Sequence, residues 1–384
     1  MPNSIPRREW LKRTSLAALG LGFSLPGLAG PQDATYSPPV WPGPEGAKIN
    51  LGSNENPYGI SPMAREAILE MIPRANRYSF NIPSLENCRA TIAAFHGVNR
   101  ENILLTAGSG EVLSLTGHYF YKPGANLVTA DPTFFLLPSL AKKLGYSVKG
   151  VPVGADMGID LSALATAIDS NTSLVYLVNP NNPTGTLLKP AAIKGFCLEA
   201  ATKTAILIDE AYLDFLDAPD NESMIATAAS HPNIMVTRTF SKIHGMAGLR
   251  MGYVISHPDR IRQLEDIYFN ESQIAISNLT MAAALASLRD DQHRSQSRQN
   301  NAAARLYTQT SLEQLGIHCI GSHTNFMLFH LGDYPGNFAE FMLTKNIILR
   351  SNEYLGEKWC RVSMGTMEEM KQFITVMKQT WKQG

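Results

Sequence analysis

The chain has no charge surplus of either sign. Lys+Arg and Asp+Glu both number 33 among 384 residues, so there is no electrostatic reason to expect a nucleic-acid or anionic-membrane partner. After the N-terminus no apolar run reaches the length of a membrane span. Cysteine is sparse: Cys88, Cys197, Cys319 and Cys360 are widely scattered, with no CxxC pair and no metal-ligand spacing, and they read as core or partly buried thiols. No metal site, internal repeat or low-complexity segment is visible. What remains is a globular composition, 44% hydrophobic and 17% charged, in a chain long enough for a large and a smaller domain. A small-molecule substrate is the default expectation.

Residues 1–30 differ in kind from the rest. Arg7-Arg8-Glu9-Trp10-Leu11-Lys12 precedes a mildly apolar stretch from Leu16 to Leu28, with small residues at Gly27 and Ala29. This resembles a twin-arginine export signal, although Pro6 stands where Ser or Thr is usual. The resemblance implies a periplasmic or exported protein that crosses the membrane already folded, or a cytoplasmic one if the signal does not function. A Pro-rich lead-in and arm is expected over 31–60.

The remainder alternates short apolar runs with helical stripes. Ile103–Thr106, Asn126–Thr129, Ser147–Val153, Leu174–Val178, Ala205–Ile208, Ile234–Thr237 and Met251–Ile255 read as strands, with helices from Pro62, over Leu85–Phe95, Val112–Tyr119 and Leu161–Ile168. Such alternation predicts an α/β fold with a mostly parallel sheet covered on both faces, over 61–265. Helical segments at Ala282–Leu288 and Ala302–Leu315, strands near Thr324–Phe329, Ile347–Arg350 and Trp359–Ser363, and a helix from Met367 predict a smaller α+β domain over 266–384.

Polar groups gather where the apolar runs stop, which is where open α/β sheets bind ligands. Ala107-Gly108-Ser109-Gly110-Glu111 is a glycine turn feeding a helix, a potential phosphate seat that lacks the Lys-Ser/Thr ending of a P-loop. Asp209 ends one strand. Lys242 follows another, beside Ser241 and eight residues before Arg250. An amine and a fixed cation in one loop suit a phosphorylated aldehyde, although Lys242 alone also reads as a surface lysine in a glycine-rich loop.

Together Asn54-Glu-Asn-Pro-Tyr-Gly59, Asn76-Arg-Tyr78, Asn179-Pro-Asn-Asn-Pro-Thr-Gly185, Asp209-Glu-Ala-Tyr212, Thr239-Phe-Ser-Lys242, Gly248-Leu-Arg-Met-Gly252, Ile348-Leu-Arg350 and Arg361-Val-Ser-Met-Gly-Thr366 resemble, in order, the fold-type I aminotransferases of class I/II that use pyridoxal 5'-phosphate, most closely the histidinol-phosphate aminotransferase branch. The resemblance implies roles. Lys242 would join the cofactor as a Schiff base and move the substrate proton, with ping-pong turnover through the pyridoxamine form. Asp209 would pair with the ring nitrogen, and Tyr212 and Asn182 with its phenolic oxygen. Phe134 would stack on the ring. Ser109, Gly110, Ser241 and Arg250 would hold the phosphate; Ala-Asp is more usual than Ser109-Gly110. Arg361 would take an α-carboxylate, Arg350 and Tyr78 a substrate phosphate, with Tyr78 coming from the partner of a homodimer, and Asn54 and Tyr58 would line the pocket.

Residue by residue, blander readings stand beside these: Asp209 as a helix N-cap, Asn182 as a turn residue, Arg350 as a solvated strand-end cation. Three other functions fit parts of the pattern: an aromatic amino-acid aminotransferase, a decarboxylase or lyase of the same fold, and a non-catalytic periplasmic solute-binding protein.

Overall fold

The computed structural model describes residues 49–79, 84–272 and 276–381. The expected export signal and most of the lead-in lie outside them. Among the described residues twelve strands are formed: β1 (Ile49–Asn50), β2 (Ile103–Thr106), β3 (Asn126–Asp131), β4 (Ser147–Pro152), β5 (Thr172–Val178), β6 (Ala205–Asp209), β7 (Ile234–Thr239), β8 (Gly252–Ile255), β9 (Phe326–His330), β10 (Ile347–Ile348), β11 (Arg350–Tyr354) and β12 (Glu357–Ser363).

Seven of them make the main sheet in the order β2-β8-β7-β6-β5-β3-β4. All neighbours are parallel except those of β8, which runs antiparallel to both β2 and β7. The apolar runs are continuous because both faces are covered. Val175, Leu177, Ile206, Ile208 and Val236 point into one core, whereas Leu174, Tyr176, Leu207 and Met235 point into a second on the opposite face. This is the alternation a pleated strand imposes.

The helices read from sequence are present. Pro62–Met71 begins behind Ser61, whose hydroxyl accepts from the Ala64 N–H, and Ser109–Tyr119 begins behind Gly108. One of these readings needs correction. The helix expected at Ala302 begins eleven residues earlier and spans Asp291–Glu313. Its first half buries Arg294, Ser297 and Asn301 rather than apolar residues, so no hydrophobic period marks it. The boundary expected at residues 265 and 266 falls inside the helix Pro258–Ser272. Beyond it Ile276, Met281, Ala283 and Ala284 still belong to the first core of the main sheet.

The C-terminal third carries an antiparallel sheet, β11-β12-β9, with its own core around Met327, Phe329, Phe338 and Phe373. Ile49 and Leu51 belong to that core, because β1 pairs in parallel with β10. The arm expected over 31–60 therefore forms a two-stranded sheet with β10 at residue 49, in the C-terminal core, and reaches the main sheet's strand ends a few residues later. All four cysteines are buried free thiols.

Candidate active site

The C-terminal ends of β2, β3, β5, β6 and β7 lie on one side of the main sheet, and the loops beyond them carry most of the polar groups singled out above. Asp209 closes β6. Its carboxylate is buried and accepts from the Tyr176 hydroxyl at 3.1 Å and from the Ala211 N–H at 3.1 Å. Both donors are uncharged, and burial raises its pKa to about 6. Tyr176 lies within the apolar run of β5, and its role was hidden there: a buried tyrosine counts as one more hydrophobic residue until a partner for its hydroxyl is known.

Lys242 stands three residues beyond β7. The intervening turn is closed by Met246 N–H donating to the Phe240 carbonyl and Gly245 N–H to that of Lys242, both at 3.0 Å. Nζ of Lys242 donates to the Asn54 carbonyl at 3.0 Å and lies 5.4 Å from the Tyr212 ring centroid. Asn54 is the hub. It is 2% exposed and sits at a φ of 54°, a region asparagine tolerates better than most residues. Its amide donates to the Tyr212 hydroxyl at 3.0 Å, and its side-chain oxygen accepts from Ser363 at 2.8 Å. Asn182 also donates to the Tyr212 hydroxyl, at 3.3 Å. The Asn54 carbonyl accepts a further bond from Asn325 at 3.1 Å.

At the other end, Gly108 precedes the helix Ser109–Tyr119 with a φ of 90°. A Cβ there would run into the Arg250 guanidinium, and a Cβ on Gly252 would run into the backbone of Gly108 and Ser109. Glycine is therefore required at both positions for the turn and the arginine to approach. Arg250, itself at a φ of 57°, donates to Ala247 O at 2.9 Å, to Ala107 O at 3.4 Å and to Ser241 Oγ at 3.5 Å. One guanidinium thus spans the lysine loop and the glycine turn. The helix N-terminus beside it presents unpaired N–H groups and the positive end of its dipole. Gly110 follows Ser109 in the first turn, against Leu136.

Arg361 lies on β12 directly opposite Arg350 on β11. Its guanidinium donates to Asn182 Oδ1 at 2.7 Å and to Gly52 O at 2.8 Å, while its buried Nε has no protein partner. Arg350 Nε also donates to Gly52 O, at 3.4 Å. Burial lowers the Arg361 pKa, and the Arg350 charge adds to that. Phe326, absent from the expectations above, packs edge-to-face on Tyr212 with centroids 5.0 Å apart and lies 5.4 Å beneath the Arg361 guanidinium.

Three expected residues stand apart from this cluster. Phe134 follows β3 and packs edge-on against the exposed Phe135. Tyr58 lines a small cavity with Ser297, Asn301, Asn325 and Gly365, and burial raises its pKa, with the Glu369 charge adding to this. Tyr78 is 76% exposed in the single chain.

The family model for aminotransferase class I and II matches residues 47–377. A histidinol-phosphate aminotransferase of Moorella thermoacetica is 33% identical over 336 residues, 86% of this chain and 85% of that protein. Histidinol-phosphate aminotransferase 2 of Nitrosospira multiformis is 35% identical over 336 residues, 85% of this chain and 82% of that protein. Among solved structures, the histidinol-phosphate aminotransferase of Sinorhizobium meliloti in complex with pyridoxal 5'-phosphate superposes with a TM-score of 0.80 at 24% identity, covering 88% and 91% of the two chains.

Proposed function

The chain belongs to the aminotransferase class I and II family, and from that premise we propose that it moves an amino group from a donor bearing an anionic side group, histidinol phosphate first among them, to a 2-oxo acid. Membership of that family replaces the solute-binding alternative. The observation carrying the donor class is the cross-strand pair Arg350 and Arg361. Like charges facing each other across a sheet are unfavourable, and an oxyanion lying between the two guanidiniums removes the repulsion while taking up the unpartnered Nε of Arg361.

The residues present fit pyridoxal 5'-phosphate. Asp209 is a buried carboxylate whose two partners are neutral, so a cation beside it offsets its burial. The Gly108 turn, Ser109, Gly110, Ser241 and Arg250 form a cradle for a phosphate. When bound, the cofactor supplies an aldehyde to take up the donor amine and a ring that draws electrons from the donor's Cα–H bond.

In this reading Asp209 would keep a proton on the ring nitrogen, and Tyr212 and Asn182 would hold the ring oxygen. Phe134 would cover the ring face. Lys242 would take the proton from the donor Cα and deliver it to C4′ of the cofactor. Its tether to the Asn54 carbonyl keeps the amine beside Tyr212 while it waits. Asn54 orients Tyr212 through its amide, and Arg361 orients Asn182. Tyr58 would close the pocket wall.

Two further proposals concern the setting. Residues 1–30 act as a twin-arginine export signal, which the Arg7-Arg8 motif supports. The protein works as a homodimer in which Tyr78, exposed in the single chain, reaches the partner's donor site.

The test is an amino-donor screen on the purified enzyme with 2-oxoglutarate, comparing histidinol phosphate, phenylalanine, tyrosine and aspartate. The expected result is the highest kcat/KM for histidinol phosphate, and loss of turnover in Lys242→Ala. A higher value for phenylalanine or tyrosine overturns the donor assignment; carbon dioxide or ammonia release without a 2-oxo product overturns transamination.

A further inference from the structure

Between β7 and the segment that follows β6 lies a buried ionic network to which no role has yet been given. Arg238, 2% exposed, donates from Nε to Glu210 Oε2 at 2.8 Å, from one terminal nitrogen to Asp214 Oδ1 at 2.9 Å and from the other to Ser223 Oγ at 3.1 Å. Glu210 is fully buried and accepts from Ser223 Oγ at 2.8 Å and from the Met224 N–H at 2.7 Å. Every nitrogen of the guanidinium and both carboxylate oxygens are engaged.

The positions of these residues in the chain are informative. Glu210 follows Asp209 directly. Glu210 and Asp214 bracket Tyr212 two residues to either side, and Arg238 lies four residues before Lys242. One side chain on β7 thus holds the segment carrying Asp209 and Tyr212 against the segment carrying Lys242. The Glu210 N–H donating to the Thr237 carbonyl at 3.0 Å extends the β6–β7 ladder through the same region. We propose that Arg238 is a positioning residue of the active site, setting through Glu210 and Asp214 where the Tyr212 hydroxyl and the Asp209 carboxylate stand relative to Lys242.

A buried ion pair contributes little net stability over an apolar replacement, so geometry is the better account of why charge is kept here. Of the other titratable groups around the network, the Arg298 guanidinium donates from Nε to the Asp214 main-chain carbonyl at 3.0 Å, Asp209 adjoins Glu210, and two histidines are neutral near pH 7. His96, hydrogen-bonded to Tyr253 at 2.7 Å, has its pKa lowered to about 3, and His244, against Ser287 at 2.8 Å, to about 4, burial being the main cause for both. Burial pushes the Tyr253 phenol far upward. Arg238 therefore faces two carboxylates, with the Arg298 guanidinium on the Asp214 main chain, and Glu210 adds negative potential at Asp209.

The inference rests on the cofactor site of the proposed function and not on the identity of the donor. The test uses Arg238→Lys, Asp214→Asn and, as a control on a surface ion pair, Lys149→Ala. Three quantities are measured for each: the dissociation constant for pyridoxal 5'-phosphate, the pH midpoint of the absorbance change of the loaded protein, and the melting temperature of the cofactor-free protein. A lysine cannot grip two carboxylates as a guanidinium does. Arg238→Lys is expected to weaken cofactor binding about tenfold and to move the midpoint by about half a pH unit or more. Asp214→Asn keeps an oxygen for the guanidinium and so keeps the fold; it should move both in the same direction by less, and the control neither. Wild-type dissociation constants and midpoints in the two network variants, whatever their melting temperatures, overturn the proposal, and if Arg238→Lys does not fold, Asp214→Asn decides alone. Failure of the wild-type protein to bind the cofactor would instead count against the underlying reading of the site.

Discussion

The amine of Lys242 donates at 3.0 Å to the main-chain carbonyl of Asn54, a residue 188 positions earlier that sits at positive φ. A backbone carbonyl is a neutral acceptor. It fixes the amine by direction, without the charge of a carboxylate, and leaves it able to exchange this bond for a covalent one. The Asn54 side chain meanwhile orients Tyr212, so one residue sets two groups of the site through separate atoms.

Substitution at Asn54 should separate those two functions. Asn54→Gly keeps the backbone conformation and the lysine tether but frees Tyr212; Asn54→Ala also strains the backbone, at a cost of about 1–3 kcal/mol. Both variants should lose turnover by a similar factor, while Asn54→Ala shows a clearly lower melting temperature than Asn54→Gly. Equal melting temperatures would mean that the positive φ is not held in solution.

The raised pKa of Asp209 predicts a pH effect of known sign. In the cofactor-free fold the carboxyl titrates at about 6, above its ordinary 3.8, so the folded state holds its proton more tightly than the unfolded chain. That stabilisation is complete below 3.8 and is lost as pH rises through about 6. In Asp209→Asn it is absent at every pH. The stability difference should therefore move in the variant's favour by about 2 kcal/mol between pH 4 and 7, measured by urea unfolding without cofactor. With cofactor present the order reverses, because the variant loses the charge facing the ring. A pH-independent difference would contradict the assignment.

Arg350→Met should raise KM for histidinol phosphate by about 10- to 100-fold with little change in kcat, as expected for loss of a charge-assisted contact made throughout the reaction. It should not lower the melting temperature, since the substitution relieves the repulsion with Arg361 across the β11–β12 pair. Steady-state kinetics and thermal unfolding check both halves.

Gly108→Ala places a methyl group where the Arg250 guanidinium lies, at a backbone angle unfavourable to alanine. The expected outcome is a fall in stability of about 1 kcal/mol or more and a still larger loss of cofactor affinity, because the guanidinium is forced away from the turn. Equilibrium dialysis against the cofactor and thermal unfolding measure the two effects.

The main sheet was legible because its strands are covered on both faces, which leaves unbroken apolar runs such as Leu174–Val178 ended by polar loops. The residues proposed to hold the cofactor are legible as motifs at those ends. Ser363 and Asn325 were not: each acts on Asn54 from about 270 positions or more along the chain, and neither type of side chain carries a local signal. Tyr176 was hidden inside an apolar strand. The early part of the helix Asp291–Glu313 was missed because it buries hydrogen-bonded polar residues, which have no hydrophobic period to read.

The pairing of β1 with β10 bears on the order in which the molecule can be completed. Ile49 and Asn50 leave the ribosome long before Ile347 and Ile348, their strand partners among the described residues. The Asn54 carbonyl that receives the lysine is anchored a few residues beyond. A nascent chain can build the main sheet with Asp209 and Lys242 in place, yet the segment that accepts that amine has no strand partner until Ile347 and Ile348 have been made. Synthesis runs in one direction along the chain, but the active site is finished by bringing early and late segments together.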